Sequence, residues 1–137
     1  MQGRRGLIGY AIGAAMAIAL ALAPSLAAAQ SRTSTPFQGP KANTGTVALS
    51  NNGRTQVLTL SEDFKAPDAP DPHWQVVDSN GRTYLLNRLV VKGDKFNKSV
   101  TLPDYIQDVA KVQIWCAWAE VLLGEAKFEK PIELARN

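Results

Sequence analysis

The chain is 137 residues long and carries 15 Lys and Arg against 12 Asp and Glu, with a single His and a single Cys. That length holds one domain rather than two, and one cysteine rules out an internal disulfide. The mature chain has no basic block of five or more residues, so a nucleic-acid footprint is not supported.

Residues 1–29, MQGRRGLIGYAIGAAMAIALALAPSLAAA, combine Arg4 and Arg5, an apolar run from Leu7 to Ala23 and a small-residue exit at Ala27-Ala28-Ala29. This is the layout of a secretory signal peptide, with cleavage expected between Ala29 and Gln30. A retained membrane anchor is the competing reading; against it, the run is short, rich in Ala and Gly, and followed by an Ala-x-Ala site. Arg4-Arg5-Gly6-Leu7-Ile8 also fits the loose outline of a twin-arginine signal, although paired arginines are common in ordinary leaders. The expectation is export to the periplasm or the extracellular space, with no transmembrane segment after cleavage. The product has 108 residues, with thirteen basic side chains against twelve acidic ones, so much of the basicity belongs to the leader. A chain of that size buries one core without staples.

Residues 30–43, QSRTSTPFQGPKAN, contain two prolines and little apolar content, and read as a flexible lead-in. From Thr44 onward the pattern is mostly two-residue. TGTVALS and TQVLTL flank the turn signal Asn51-Asn52-Gly53, and Leu58 and Leu60 share one face, which predicts a hairpin. SEDFKAPDAPDP holds Pro67, Pro70 and Pro72 and is neither helix nor central strand; Phe64 is its expected apolar anchor. HWQVVDS, the tight turn Asn80-Gly81 and RTYLLNRLVV predict a second hairpin. SVTLP is a short strand closed by Pro103, and Asp104 to Lys111 is expected to include a turn of helix.

KVQIWCAWAEVLLGEAKF is open to two readings. A helix over 104–123 would contain no Pro or Gly, but its apolar stripe breaks at Gln113. Val112, Ile114, Cys116 and Trp118 alternate, and β-branched and aromatic residues cluster there, which favours a central strand. Its neighbour VLLGEAKF carries Gly124 as the mark of a bulge or a close approach. The whole predicts an all-β domain over 44–137, a small antiparallel β-sandwich or barrel of seven to eight short strands.

Most catalytic templates fail by inventory. A lone histidine makes no zinc cluster, and neither a Gly-x-Ser-x-Gly elbow nor a phosphate-cradling glycine loop occurs. His73 stands beside prolines with nothing in sequence to orient it as a base, and reads as a surface or turn residue. Glu62, Asp63, Asp68 and Asp71 lie on one loop, but their spacing matches no calcium loop and suits solvated turn chemistry. A hydrolytic enzyme lacks a nameable nucleophile–base pair.

Cys116 is the informative residue. An exposed lone thiol in an oxidising compartment is a liability unless it is used. Between Trp115 and Ala117, with Ile114 and Trp118 on its own face of a strand, it also suits the role of a small buried hydrophobe, inert to redox chemistry. Both readings stay open at this point.

Leu58-Thr59-Leu60-x-x-Asp63-Phe64, then Pro70-Asp71, then Ile114-Trp115-Cys116, then Gly124-x-Ala126-x-Phe128 resembles the DM-thirteen domain family over residues 44–132. The Trp-Cys pair and the Gly-x-Ala ending are the more specific parts. The resemblance implies a small extracytoplasmic module, in some proteins joined to redox-linked and membrane cytochrome modules, with a proposed role in electron transfer. It implies that Cys116 is a free redox thiol or a ligand to a metal or haem, with Trp115, Trp118 and Asp71 as its neighbours. Trp118 departs from the smaller or phenylalanine-containing segment that often follows the family's cysteine, and His73 is not part of the pattern.

The expectation is therefore an exported β-domain with a thiol-redox or electron-transfer role at Cys116, partnered by an extracytoplasmic redox or membrane-associated protein. The alternative is a non-catalytic protein-interaction or ligand-binding module with Cys116 in the core. A metal or haem needs more ligands than one cysteine. Met1 and Met16 both lie in the leader, which leaves His73, the carboxylates, Tyr84, Tyr105 or a partner chain.

Overall fold

The computed structural model describes residues 31–92 and 95–135. The expected signal peptide 1–29 and its cleavage site at Ala29 and Gln30 lie outside the described residues. Among those residues there is no helix, and nine strands follow one another in the order β1 (Val47–Asn52), β2 (Thr55–Leu60), β3 (Pro72–Val77), β4 (Thr83–Arg88), β5 (Val91–Lys92), β6 (Lys95–Phe96), β7 (Ser99–Thr101), β8 (Asp108–Cys116) and β9 (Val121–Glu133). They form three antiparallel sheets, ordered β1-β2-β7, β4-β3-β8-β9 and the short pair β5-β6. The chain is an all-β sandwich, as its two-residue alternation predicts.

Alternation decides what each sheet buries. Val47, Leu49, Leu58, Leu60 and Val100 face inward from the three-stranded sheet, and Trp74, Val76, Val112, Ile114 and Cys116 from the four-stranded one. The inward Trp74 and Ile114 are register partners and wholly buried. The outward face of the larger sheet is laced by amides: Gln75 Nε2 donates to Gln113 Oε1 at 2.7 Å, and Gln113 Nε2 donates to Glu125 Oε1 at 2.8 Å. That row satisfies Gln75, which is buried despite facing away from the core.

Turn chemistry sets the hairpins. Asp78 N–H donates to the Arg82 carbonyl and Gly81 N–H to the Asp78 carbonyl, closing a three-residue loop in which Gly81 takes φ 83°. Burial pushes the Asp78 carboxyl up, but the Arg82 and Asn80 N–H groups, the Tyr84 hydroxyl and the Arg82 charge outweigh it and hold the group below its usual value.

Three expectations need correction. The lead-in 30–43 is not flexible where it is described. Thr33 bridges Ala48 and Gln38 bridges Glu125, so this strap pairs first with the edge of β1 and then with the edge of β9. Phe37 and Ala42 are buried beneath it, and the Phe37 ring meets Phe64 edge-on at 5.2 Å. The strap thus closes one open seam of the sandwich with two apolar anchors and a run of backbone hydrogen bonds. The second correction concerns Asp104 to Lys111, where a turn at Asp104–Tyr105 leads into β8 from Asp108 and no helical turn forms. The third is Trp118. The strand ends at Cys116, so Trp118 leaves the face it was expected to share with Cys116 and sits in the connecting turn.

Gly124 carries both roles expected of it. A register shift falls between Ile114 and Trp115, opposite Gly124, and a Cβ there would overlap the carbonyl oxygen and Cβ of Ala42 in the strap.

Candidate functional site

The ladder directions gather four connections at one end of the sandwich: the strap turn around 39–45, the proline loop 61–71, the segment after β4, and the β8–β9 turn 117–120. The Asn52–Gly53 turn and the Asp78–Arg82 turn lie at the other end.

At the gathered end, Ala117 N–H donates to the Asp71 carbonyl and Leu89 N–H to the Pro72 carbonyl, which ties three of these connections together. Between them opens a cleft of about 300 Å³. It is lined by Ala66, Pro67, Ala69, Pro72, Leu89 and Val91, with Asp68 and Arg88 as its charged members. The prolines hold the loop without secondary structure, and buried Phe64 and Pro67 anchor it.

A charged cluster braces the cleft. Asp71 Oδ1 lies 3.2 Å from His73 Nε2 and 3.2 Å from Arg88 Nε. The second ring nitrogen of His73 lies 2.9 Å from the Leu86 carbonyl, and an Arg88 terminal nitrogen donates to the Pro70 carbonyl at 3.1 Å. The β3–β4 register slips between His73 and Gln75, leaving an extra residue at Leu86–Asn87, and His73 reaches the carbonyl that this bulge frees. Both His73 partners are acceptors, so the ring donates to both only when it carries two protons.

Cys116 lies below this cluster, in the core at 1% exposure. Its register partner is Pro72, and its inward neighbours along the strands are Ile114 and Trp74. Trp115 pairs with His73 on the opposite face, so neither residue shares the thiol's side of the sheet. The Asp71 carbonyl accepts the N–H of Ala117, the residue after Cys116, while its carboxylate is taken by His73 and Arg88. Among the described residues no three His, Cys, Asp or Glu side chains come together in a way that would hold a metal ion. Trp74 Nε1 is buried without a hydrogen-bond partner.

Trp118 points the other way. It is 77% exposed, in a turn held by Glu120 N–H donating to the Cys116 carbonyl at 2.8 Å, with Glu120 itself at φ 56°. Val121, Val90 and Val91 are also exposed at this end. Of the six large exposed hydrophobic side chains among the described residues, four therefore lie at one pole. Sequence reasoning singled out Trp118 and Asp71 but missed Arg88, Val121 and the Val90-Val91 pair. Arg88 is joined to Asp71 only by the pairing of β3 with β4, and Val90-Val91 read as the end of a strand rather than as surface. Comparison with protein-family models, curated proteins and solved structures finds no match to this chain.

Proposed function

We propose that this protein is an exported, non-catalytic binding module whose recognition surface is the loop pole carrying Trp118, with Cys116 serving as a core residue. The observation that carries this reading is the 77% exposure of Trp118 on a braced turn, at the same end of the sandwich as three exposed valines and a cleft of about 300 Å³. Large apolar side chains exposed together are informative where single ones are not, and aromatic anchors dominate recognition surfaces. The electron-transfer alternative draws its support from the resemblance to the DM-thirteen domain family. Burial of the thiol against Pro72, with His73 on the other face of the sheet, favours the binding module.

The test places a photo-crosslinking residue at position 118, and at Arg54 on the opposite pole as a control, in cells that express the full chain. Position 118 should give one discrete adduct in the exported fraction, absent from position 54 and retained in Cys116→Ala. Equal labelling at both poles, or loss of the adduct in a folded Cys116→Ala protein, would overturn the reading.

A further inference from the structure

We infer that the free edge of β4 is a self-association surface, across which a second copy of this chain adds antiparallel to form a two-fold dimer. The larger sheets have four edges. The strap covers β1 at residues 47–49 and β9 at residues 123–127, the rest of β9 carries Pro131, and β7 is only three residues long, which leaves β4 as a long edge with neither strap nor proline. The hydrogen bond from Asp78 N–H to the Arg82 carbonyl fixes the phase of the β3–β4 ladder. Val76 and Tyr84 then exchange backbone bonds, and the N–H and C=O groups of Thr83 and Leu85 turn away from β3. Further along, Asn97 satisfies the Arg88 carbonyl and the Val90 N–H, so the opening is confined to the middle of β4.

Apolar surface borders that opening. Leu85 is 49% exposed on the edge itself, and Tyr105, 63% exposed, packs against Tyr84 with ring centroids 5.8 Å apart. These two are the large exposed hydrophobic side chains that the loop pole does not account for. Thr83 to Leu86 carries neither Pro nor a charge, the usual guards of an edge strand.

The occupant is a second copy because the pattern is self-complementary. A two-fold axis at Tyr84 sets Thr83 against Leu85 of the second copy, and Leu85 against its Thr83, so all four groups on each edge find partners. Charge favours this register over the one centred on Leu85: it places Arg88 opposite Asn80 and Arg82 opposite Leu86. An axis at Leu85 would set Arg82 directly against Arg88, a like-charge pairing that opposes association.

Sedimentation velocity on protein purified from cells expressing the full chain tests the inference. The protein should sediment as a dimer in the micromolar to near-millimolar range. Leu85→Pro should be monomeric with an unchanged far-ultraviolet spectrum, because the N–H it removes points away from β3 and pairs with no other strand among the described residues. Should that variant fail to fold, Leu85→Lys carries the same expectation through a charge at the axis. Monomer throughout for the unsubstituted protein, or a dimer that survives these substitutions, overturns it.

Discussion

Pro72 and Cys116 face each other across the end of the β3–β8 ladder. On its other side the Pro72 carbonyl accepts the Leu89 N–H, so the proline opposite Cys116 is fixed between two strands and the segment that follows β4. A proline is tolerated there because it opens the strand. The thiol therefore packs as an apolar group, and Cys116→Ala should cost about 1–2 kcal/mol in denaturant unfolding, a modest cavity loss. Cys116→Ser should cost more, since the buried hydroxyl would lack an assured partner.

Gly124→Ala should destabilise by about 1–3 kcal/mol, because the added methyl must displace the Ala42 backbone. Pairing it with Ala42→Gly, which removes only one of the two overlapping groups, should recover part of that loss. An unfolding curve matching that of the unsubstituted protein would show that the strap does not press on β9.

Phe37→Ala tests the strap's role as a structural element. Its ring is buried and meets Phe64, so truncation should cost about 3–5 kcal/mol. Amide exchange should rise first at Ser34 and Gln38, whose N–H groups pair with β1 and β9. A loss of less than about 1 kcal/mol would match an ordinary surface substitution instead.

Asp78 should make stability depend on acid. Its carboxyl is held below its usual value in the folded protein, so it contributes stability that is present above the unfolded value of about 3.9 and is lost as pH falls through the lower folded value. Asp78→Asn keeps an acceptor for the Asn80 and Arg82 N–H groups but removes the charge. The stability gap between the two proteins should be constant near neutrality and shrink below about pH 4, measured by urea unfolding across pH. A gap independent of pH would contradict the assignment.

The alternation of Leu58 and Leu60, the Asn80-Gly81 turn and the glycine at 124 made most of the sheet legible, because each is a local rule tied to one backbone geometry. The strap was not legible. Its two anchors, Phe37 and Ala42, are separated by Pro40 and show no period, and its backbone hydrogen bonds go to partners from eight to 92 residues away, most of them in β9. Trp118 was misplaced because alternation was carried one step beyond the strand; the turn begins at Ala117, where the N–H is drawn to Asp71. The Asp71–His73–Arg88 cluster depends on pairing between β3 and β4 and on a bulge, neither of which residue spacing encodes.

Alkylation of Cys116 in the native protein tests most directly whether this residue is a core group rather than a redox site. Labelling should be slow in buffer and accelerate only along the global unfolding transition, as expected for a group released by unfolding. Rapid labelling of the native protein, well before that transition, would contradict the core assignment and restore Cys116 as a redox site.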